Sequence, residues 1–320
     1  MIACLCGIWY TELMIRHYYR LDAETPLETL EAPRDGAWTH VVSPTKDELV
    51  SLITRLGIDD VIIEDIGDIF EVPRFEQEGS FSYFFTRYPY DVKDIDIDTA
   101  PILFILGDTF LVTIASQEVP FLESFITGKK QFSTVQKTTL FLEFMAELVI
   151  TYEKKLTRTR KVVYRDMGRI RDIRTNDIQR LVFLEQELNE TMSALIPTKE
   201  WLQQLTKTNY IHLFTEDQEL LEYLLIDTTQ LIDSAKSILK TIQNIRSASE
   251  SILTQNLNTT IRRLTAFTIV LTIPTLIFSL FGMNIRLPFQ ENDLGILYVL
   301  LIVLTLVSGT VYFFKHNRWI

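Results

Sequence analysis

The run Leu264–Ile285, LTAFTIVLTIPTLIFSLFGMNI, holds 22 residues without a charge and is long enough to cross a bilayer as one helix. A second uncharged run of 21 residues, Leu294–Phe314, follows after only eight others, RLPFQEND at 286–293. Two spans joined so closely form a hairpin, and the residues ahead of Arg263 are the load it anchors. Arg262 and Arg263 precede the first span, Lys315, His316 and Arg318 follow the second, and the connecting loop sets Arg286 against Glu291 and Asp293. The positive-inside rule then predicts both termini in the cytoplasm, with the short loop that carries Glu291 and Asp293 outside.

About 260 of the 320 residues lie before the first span, enough for one or two domains with a real core. The net charge is -11 and the basic residues form no patch, which argues against nucleic acid and for cations as partners. Cys4 and Cys6 are too few for a disulfide framework, and with His17, His40, His212 and His316 they give no metal-ligand spacing. No nucleophile and base pair or phosphate-cradling glycine loop is present, so an enzyme is not expected, nor any cofactor.

Residues 1–132 read as a cytoplasmic α/β domain. Ala37–Val42 has the character of a buried strand, and Ser43–Leu49 caps a helix that stops at Gly57. Phe81–Tyr88 reads as a strand, and Ile102–Ile114 as a hairpin turning at Gly107-Asp108. A mixed sheet covered by helices is the simplest assembly. Residues 133–262 read as a helical stalk: no glycine lies between Gly168 and Gly282, and Pro197 is the only proline between Pro120 and Pro274. One or two helices are expected from Val135 to Leu195, with a turn at Ile196-Pro197. A last helix begins near a capping box at Thr215–Gln218 and runs on into the membrane. At 1.5 Å per residue it would be about 100 Å long and would need partners along its length, hence an oligomer. Spans at 263–285 and 294–314, the outer loop 286–293 and a basic tail 315–320 complete the division.

Stepping back from Thr275 by alternate threes and fours gives Thr272, Thr268, Thr265, Ile261, Asn258, Thr254, Ser251, Ser247 and Asn244. Nine of these ten positions carry a small hydroxyl or amide. Threonine in a membrane helix commonly bonds back to the carbonyl four residues earlier, but a regular polar seam has no use facing lipid and suits a common axis. Ile261, with Leu264 one place off the seam, would constrict such a path. Pro274 frees a backbone carbonyl within the span. Neither span contains a carboxylate, histidine or thiol, which favours a channel for a hydrated ion over a proton-coupled carrier, and magnesium is the ion most reluctant to dehydrate.

Phe281-Gly282-Met283-Asn284 closing the penultimate span, the short acidic loop, the second span and the tail Lys315–Ile320 together resemble the CorA family of magnesium transport proteins. Trp38–Glu48, Ile63–Ile66 with Val72–Glu76, and Pro274-Thr275 resemble further segments of that family, so the likeness covers the whole chain. It implies an α+β membrane protein that forms a pentameric funnel, with five long helices around one pore. Gly282, Met283 and Asn284 would form the selectivity ring, and Asn258, Ile261, Leu264, Thr268, Thr272 and Thr275 match pore-facing positions. Cytoplasmic magnesium would act as regulatory ligand as well as substrate, held between protomers by Glu64 and Asp65 with Asp227 as partner. Three positions depart from the family pattern: Phe281 replaces a frequent tyrosine, the outer loop lacks the common Met-Pro-Glu-Leu run, and Ser247 stands where some members have an acidic ring. The expectation is a homopentameric, potential-driven magnesium channel of the cell membrane, surrounded by lipid. Cobalt, nickel or zinc transport is the nearest alternative, and a membrane-anchored coiled-coil scaffold without transport is the alternative from another class.

Overall fold

The computed structural model describes residues 15–58, 65, 67–92, 97–170, 175–207, 210–284, 288 and 294–319. The chain divides into two compact units, 1–169 with 174–243, and 244–320 with 170–173.

The first unit is built on a mixed sheet of seven strands. The strands are β1 (Ile15–Tyr19), β2 (Glu28–Leu30), β3 (Trp38–Val42), β4 (Arg74–Glu78), β5 (Phe81–Val92), β6 (Ile97–Leu106) and β7 (Leu111–Ala115), in the order β2-β1-β3-β7-β6-β5-β4. Among the described residues only β3 and β7 run parallel; every other pair is antiparallel. The expected hairpin is present, with Leu106 opposite Leu111. Strands β1, β2 and β4 were not anticipated from the sequence, since they are short and carry polar residues at edges.

Alternation along the strands divides the core between two faces. On one, Val41, Tyr83, Phe85, Leu103, Ile105, Val112 and Ile114 pack under Leu49, Leu52 and Ile53 of helix α1 (Lys46–Leu56). That helix starts and stops where its sequence predicts. Thr45 and Glu48 form the reciprocal capping box, and Gly57 closes the helix at φ 69°, a left-handed conformation that glycine adopts without strain. On the other face lie α3 (Lys137–Met167) and α4 (Thr175–Leu205), after a short α2 (Glu123–Ile126). Phe141 of α3 stacks on Phe84 at 4.5 Å between ring centres and meets Phe104 edge-on at 5.4 Å. Phe144 lies 4.8 Å from Trp38 and 4.7 Å from Phe125.

The turn expected at Ile196-Pro197 is absent: Pro197 lies inside α4. Ala194, Leu195, Thr198, Trp201 and Leu202 are all buried around it. Thr198 donates its hydroxyl to Ala194 O at 2.7 Å and lies 2.9 Å from the Thr86 hydroxyl on β5. Packing along one face thus holds the helix through a residue that lacks a donor and would break it in isolation.

His40 of β3 is buried, with Nδ1 2.8 Å from the Thr113 hydroxyl. Burial, helped by the Arg16 charge, lowers its pKa from 6.5 to about 4. The folded state therefore holds the ring neutral while the unfolded chain takes up a proton. Its contribution to stability is complete above pH 6.5 and is lost as pH falls towards 4. A His40→Gln variant is expected to show a shallower acid dependence of its urea midpoint over that window.

Helix α5 (Thr215–Phe281) is continuous for 67 residues and passes through Pro274; its first part, to Gln243, belongs to the first unit and the rest to the second. It starts where predicted but with a different cap. Asp217, not a Thr215–Gln218 pair, accepts the Phe214 N–H at 3.0 Å, and its other oxygen accepts the Thr139 hydroxyl at 2.7 Å. Phe214 precedes the first turn and has no side-chain acceptor, so only this half of a capping box can form. In the second unit α5 is followed by α6 (Gly295–His316). Both α5 and α6 contain stretches long and apolar enough to cross a membrane.

Candidate permeation path and regulatory acids

Each seam position from Asn244 to Thr275 is exposed in the single chain. Ile261 is 51% and Leu264 64% exposed, so the apolar pair at the head of the first span is as uncovered as the hydroxyls around it. Thr268, Thr272 and Thr275 donate their hydroxyl protons to Leu264 O, Thr268 O and Leu271 O at 2.9, 2.8 and 3.1 Å. Ser251 and Thr254 do the same to Ser247 O and Glu250 O. With the proton spent within the helix, each oxygen presents only lone pairs outward. Asn258 and Thr265 lie on the same exposed strip.

Gly282 ends α5, its N–H reaching Phe278 O at 2.9 Å, and Met283 N–H reaches Leu280 O at 3.3 Å. Gly282, Met283 and Asn284 are all exposed. A Cβ built on Gly282 would meet only the carbonyls of Phe278 and Ser279, at 3.4 and 3.5 Å, and the residue is not left-handed. Among the described residues of one chain nothing therefore demands glycine there. The three residues sit at the C-terminal end of a helix with no basic residue in its last turn, where the backbone dipoles concentrate partial negative charge. Glu291, Asp293 and Arg286 lie outside the described residues.

Asp65 is held against the first unit by Arg74, whose guanidinium reaches Oδ2 at 2.6 Å. Arg74 also pairs with Glu71 and Glu76 and lies 3.9 Å above the Phe85 ring. The backbone that follows Asp65 is clamped by buried Arg87, which donates to Ile69 O and Glu71 O at 2.8 and 2.9 Å. Asp227 is exposed on α5, and Glu64 lies outside the described residues. Among the described residues no three histidine, cysteine, aspartate or glutamate side chains gather into a metal-sized group. The pairing of Arg74 with Asp65 has no signature in the sequence, because the two lie nine positions apart and no local repeat links them.

The family described as CorA-like Mg2+ transporter protein matches residues 34–316. The chain is 24% identical over 291 residues to the cobalt/magnesium transport protein CorA of Methanocaldococcus jannaschii, a match covering 88% of this chain and 91% of that one. It is 23% identical over 296 residues to the magnesium transport protein CorA of Helicobacter pylori, covering 88% and 90%. The complete structure of the M. jannaschii CorA magnesium transporter superposes with a TM-score of 0.83 at 21% identity, covering 96% of this chain and 99% of that one. The mixed sheet with its covering helices, the long helix and the apolar pair are thus the architecture of a solved membrane transporter. With a family match spanning nearly the whole described chain, this protein belongs to the CorA family of magnesium and cobalt transport proteins, which are transporters and not enzymes.

Proposed function

We propose that five copies of the chain form a channel in the cell membrane through which hydrated magnesium enters, driven by an inside-negative potential. The observation that carries this reading is the exposed seam of α5, whose hydroxyl protons are spent on the helix's own carbonyls. A hydrated cation turns its water protons outward and is best met by such acceptors. Among the described residues of one chain the seam is exposed, and a symmetric ring of long helices gives it a partner. Asn258, Ile261, Leu264, Thr265, Thr268, Thr272 and Thr275 then line the pore, and Gly282, Met283 and Asn284 form its outer ring. Close approach of neighbouring copies supplies the reason for glycine at 282 that one chain lacks. Glu291 and Asp293 attract cations to the mouth, and both termini are cytoplasmic. A divalent ion gains about 4.6 kcal/mol per 100 mV on entry, so no further fuel is needed.

Regulation falls to Glu64 and Asp65, with Asp227 of a neighbouring copy completing a site for cytoplasmic magnesium. The ion would take the place of the Arg74 guanidinium on Asp65 and join protomers in a closed state. Asp65→Asn is expected to keep uptake running at internal magnesium that silences the parent, measured with a magnesium dye inside vesicles. Unchanged inhibition would remove Asp65 from the mechanism.

The test of the whole reading is ion entry into proteoliposomes under an imposed inside-negative potential. Magnesium entry supports it. Zinc, nickel or cobalt entry without magnesium would keep the path and change the substrate, and no flux of any of these ions would favour an anchored scaffold.

A further inference from the structure

Where α5 begins, its first turn is tied to α3 through a buried carboxylate. Asp217 is 1% exposed, and its two oxygens are taken by the Thr139 hydroxyl and the Phe214 N–H; no cation is among these partners. One turn further along α3, on the same face as Thr139, stands Glu143. It lines a cavity of about 370 Å³ between the segments near Leu21–Ala23 and Gln131–Gln136. Thr139, the residue that tethers Asp217, lines the same cavity, so the tether and the half-buried Glu143 carboxylate share one wall.

The charged groups around Glu143 do not neutralise it. Among the described residues Lys130 is the cation that bears on it, and the Lys130 ammonium is already paired with Glu147 of α3. Arg20 is committed to the carbonyls of Ala23, Thr25 and Lys130. Asp22, which lines the same cavity, adds a carboxylate bound to the N–H groups of Glu24 and Thr25. The Asp217 charge, held on α5 by Thr139 one turn before Glu143, acts on Glu143 as well. Two carboxylates sharing a partly desolvated site are both ionised only at a cost, which is relieved by protonating one or by separating them.

We propose that Glu143 is a proton-operated latch: protonated, it lets Asp217 hold the first turn of α5 against Thr139; ionised, it repels Asp217 and loosens that turn. Burial above all, opposed by Lys130 and aided to a smaller extent by Asp217, raises the Glu143 pKa from 4.5 to about 7. If opening the turn returns Glu143 to its ordinary value, opening becomes easier as pH rises from about 4.5 to about 7 and levels off above that, with tenfold per pH unit as the ceiling for one proton. Acidification of the compartment holding this unit tightens the latch. The latch acts on the helix that carries the seam, yet its existence does not depend on what passes along that seam.

The test is hydrogen exchange on the full-length protein in detergent, corrected for the intrinsic pH dependence of exchange, following the amides of Thr215–Tyr223 from pH 5 to 8. Protection in the parent is expected to fall several-fold per unit between pH 5 and 7 and then flatten. Glu143→Gln, a permanent mimic of the protonated group, is expected to stay highly protected throughout. Thr139→Val, which removes the tether without adding charge, is expected to be weakly protected at every pH. Protection in the parent that does not change with pH, or an equal slope in Glu143→Gln, would overturn the latch. Because the readout is local to the first turn, a protein that carried no ion would still pass or fail it.

Discussion

Asn284→Ala is expected to reduce potential-driven magnesium entry to the level of vesicles without protein, while the oligomer survives. The side chain is exposed just past the end of α5 and makes no packing contribution to the single chain that alanine would lose. Its carboxamide oxygen is an acceptor for water protons, and at a helix C-terminus it adds to a field that already favours cations. On the proposed assembly, its removal from every copy would empty the ring of acceptors at the outer end of the path, which Gly282 and Met283 have no polar side chain to replace. Flux into proteoliposomes and size-exclusion chromatography check the two halves of the expectation. Entry at the parental rate would exclude Asn284 as a filter, and loss of the oligomer would make it a structural residue.

The second large effect is expected in the first unit, from Phe141→Ala. This ring is fully buried and joins three elements: it stacks on Phe84 of β5, meets Phe104 of β6, and lies 6.2 Å from Trp201 of α4. Truncating a buried phenylalanine costs about 3–5 kcal/mol, because the transfer free energy is lost and the cavity collapses only in part. Against a typical total of about 5–15 kcal/mol that is enough to shift a large share of the population towards unfolding. Trp201 and Trp38 report on the same core, so denaturant unfolding followed by tryptophan fluorescence should show the midpoint fall. A change below about 1 kcal/mol would mean that α3 and α4 do not depend on this cluster to stay on the sheet.

The residues that read correctly in advance did so for local reasons. Thr45, Glu48 and Gly57 act within a few residues of one another, so the limits of α1 could be read from their chemistry. The two apolar runs are long enough to cross a membrane, and the spacing of the seam is a property of one helix. Pro197 misled because its cost is local while the compensation, Thr198 against Thr86 and the buried face around Trp201, comes from residues distant in the chain. The resemblance to the CorA family was legible from Phe281–Asn284 and the residues around them, and the family match over 34–316 bears it out.

The sequence by itself determined the two spans, the long helix that feeds the first of them and the polar seam along it, since hydropathy, length and period need no distant partner. Only the tertiary structure decided that Arg74 covers Asp65, that Arg87 clamps the backbone beyond it, and that Glu143 shares a cavity wall with Thr139, the tether of Asp217. A carboxylate has the same formula on a solvated surface and in a half-buried pocket. Its pKa, its partner and hence its use are set by residues that the fold brings in from elsewhere in the chain.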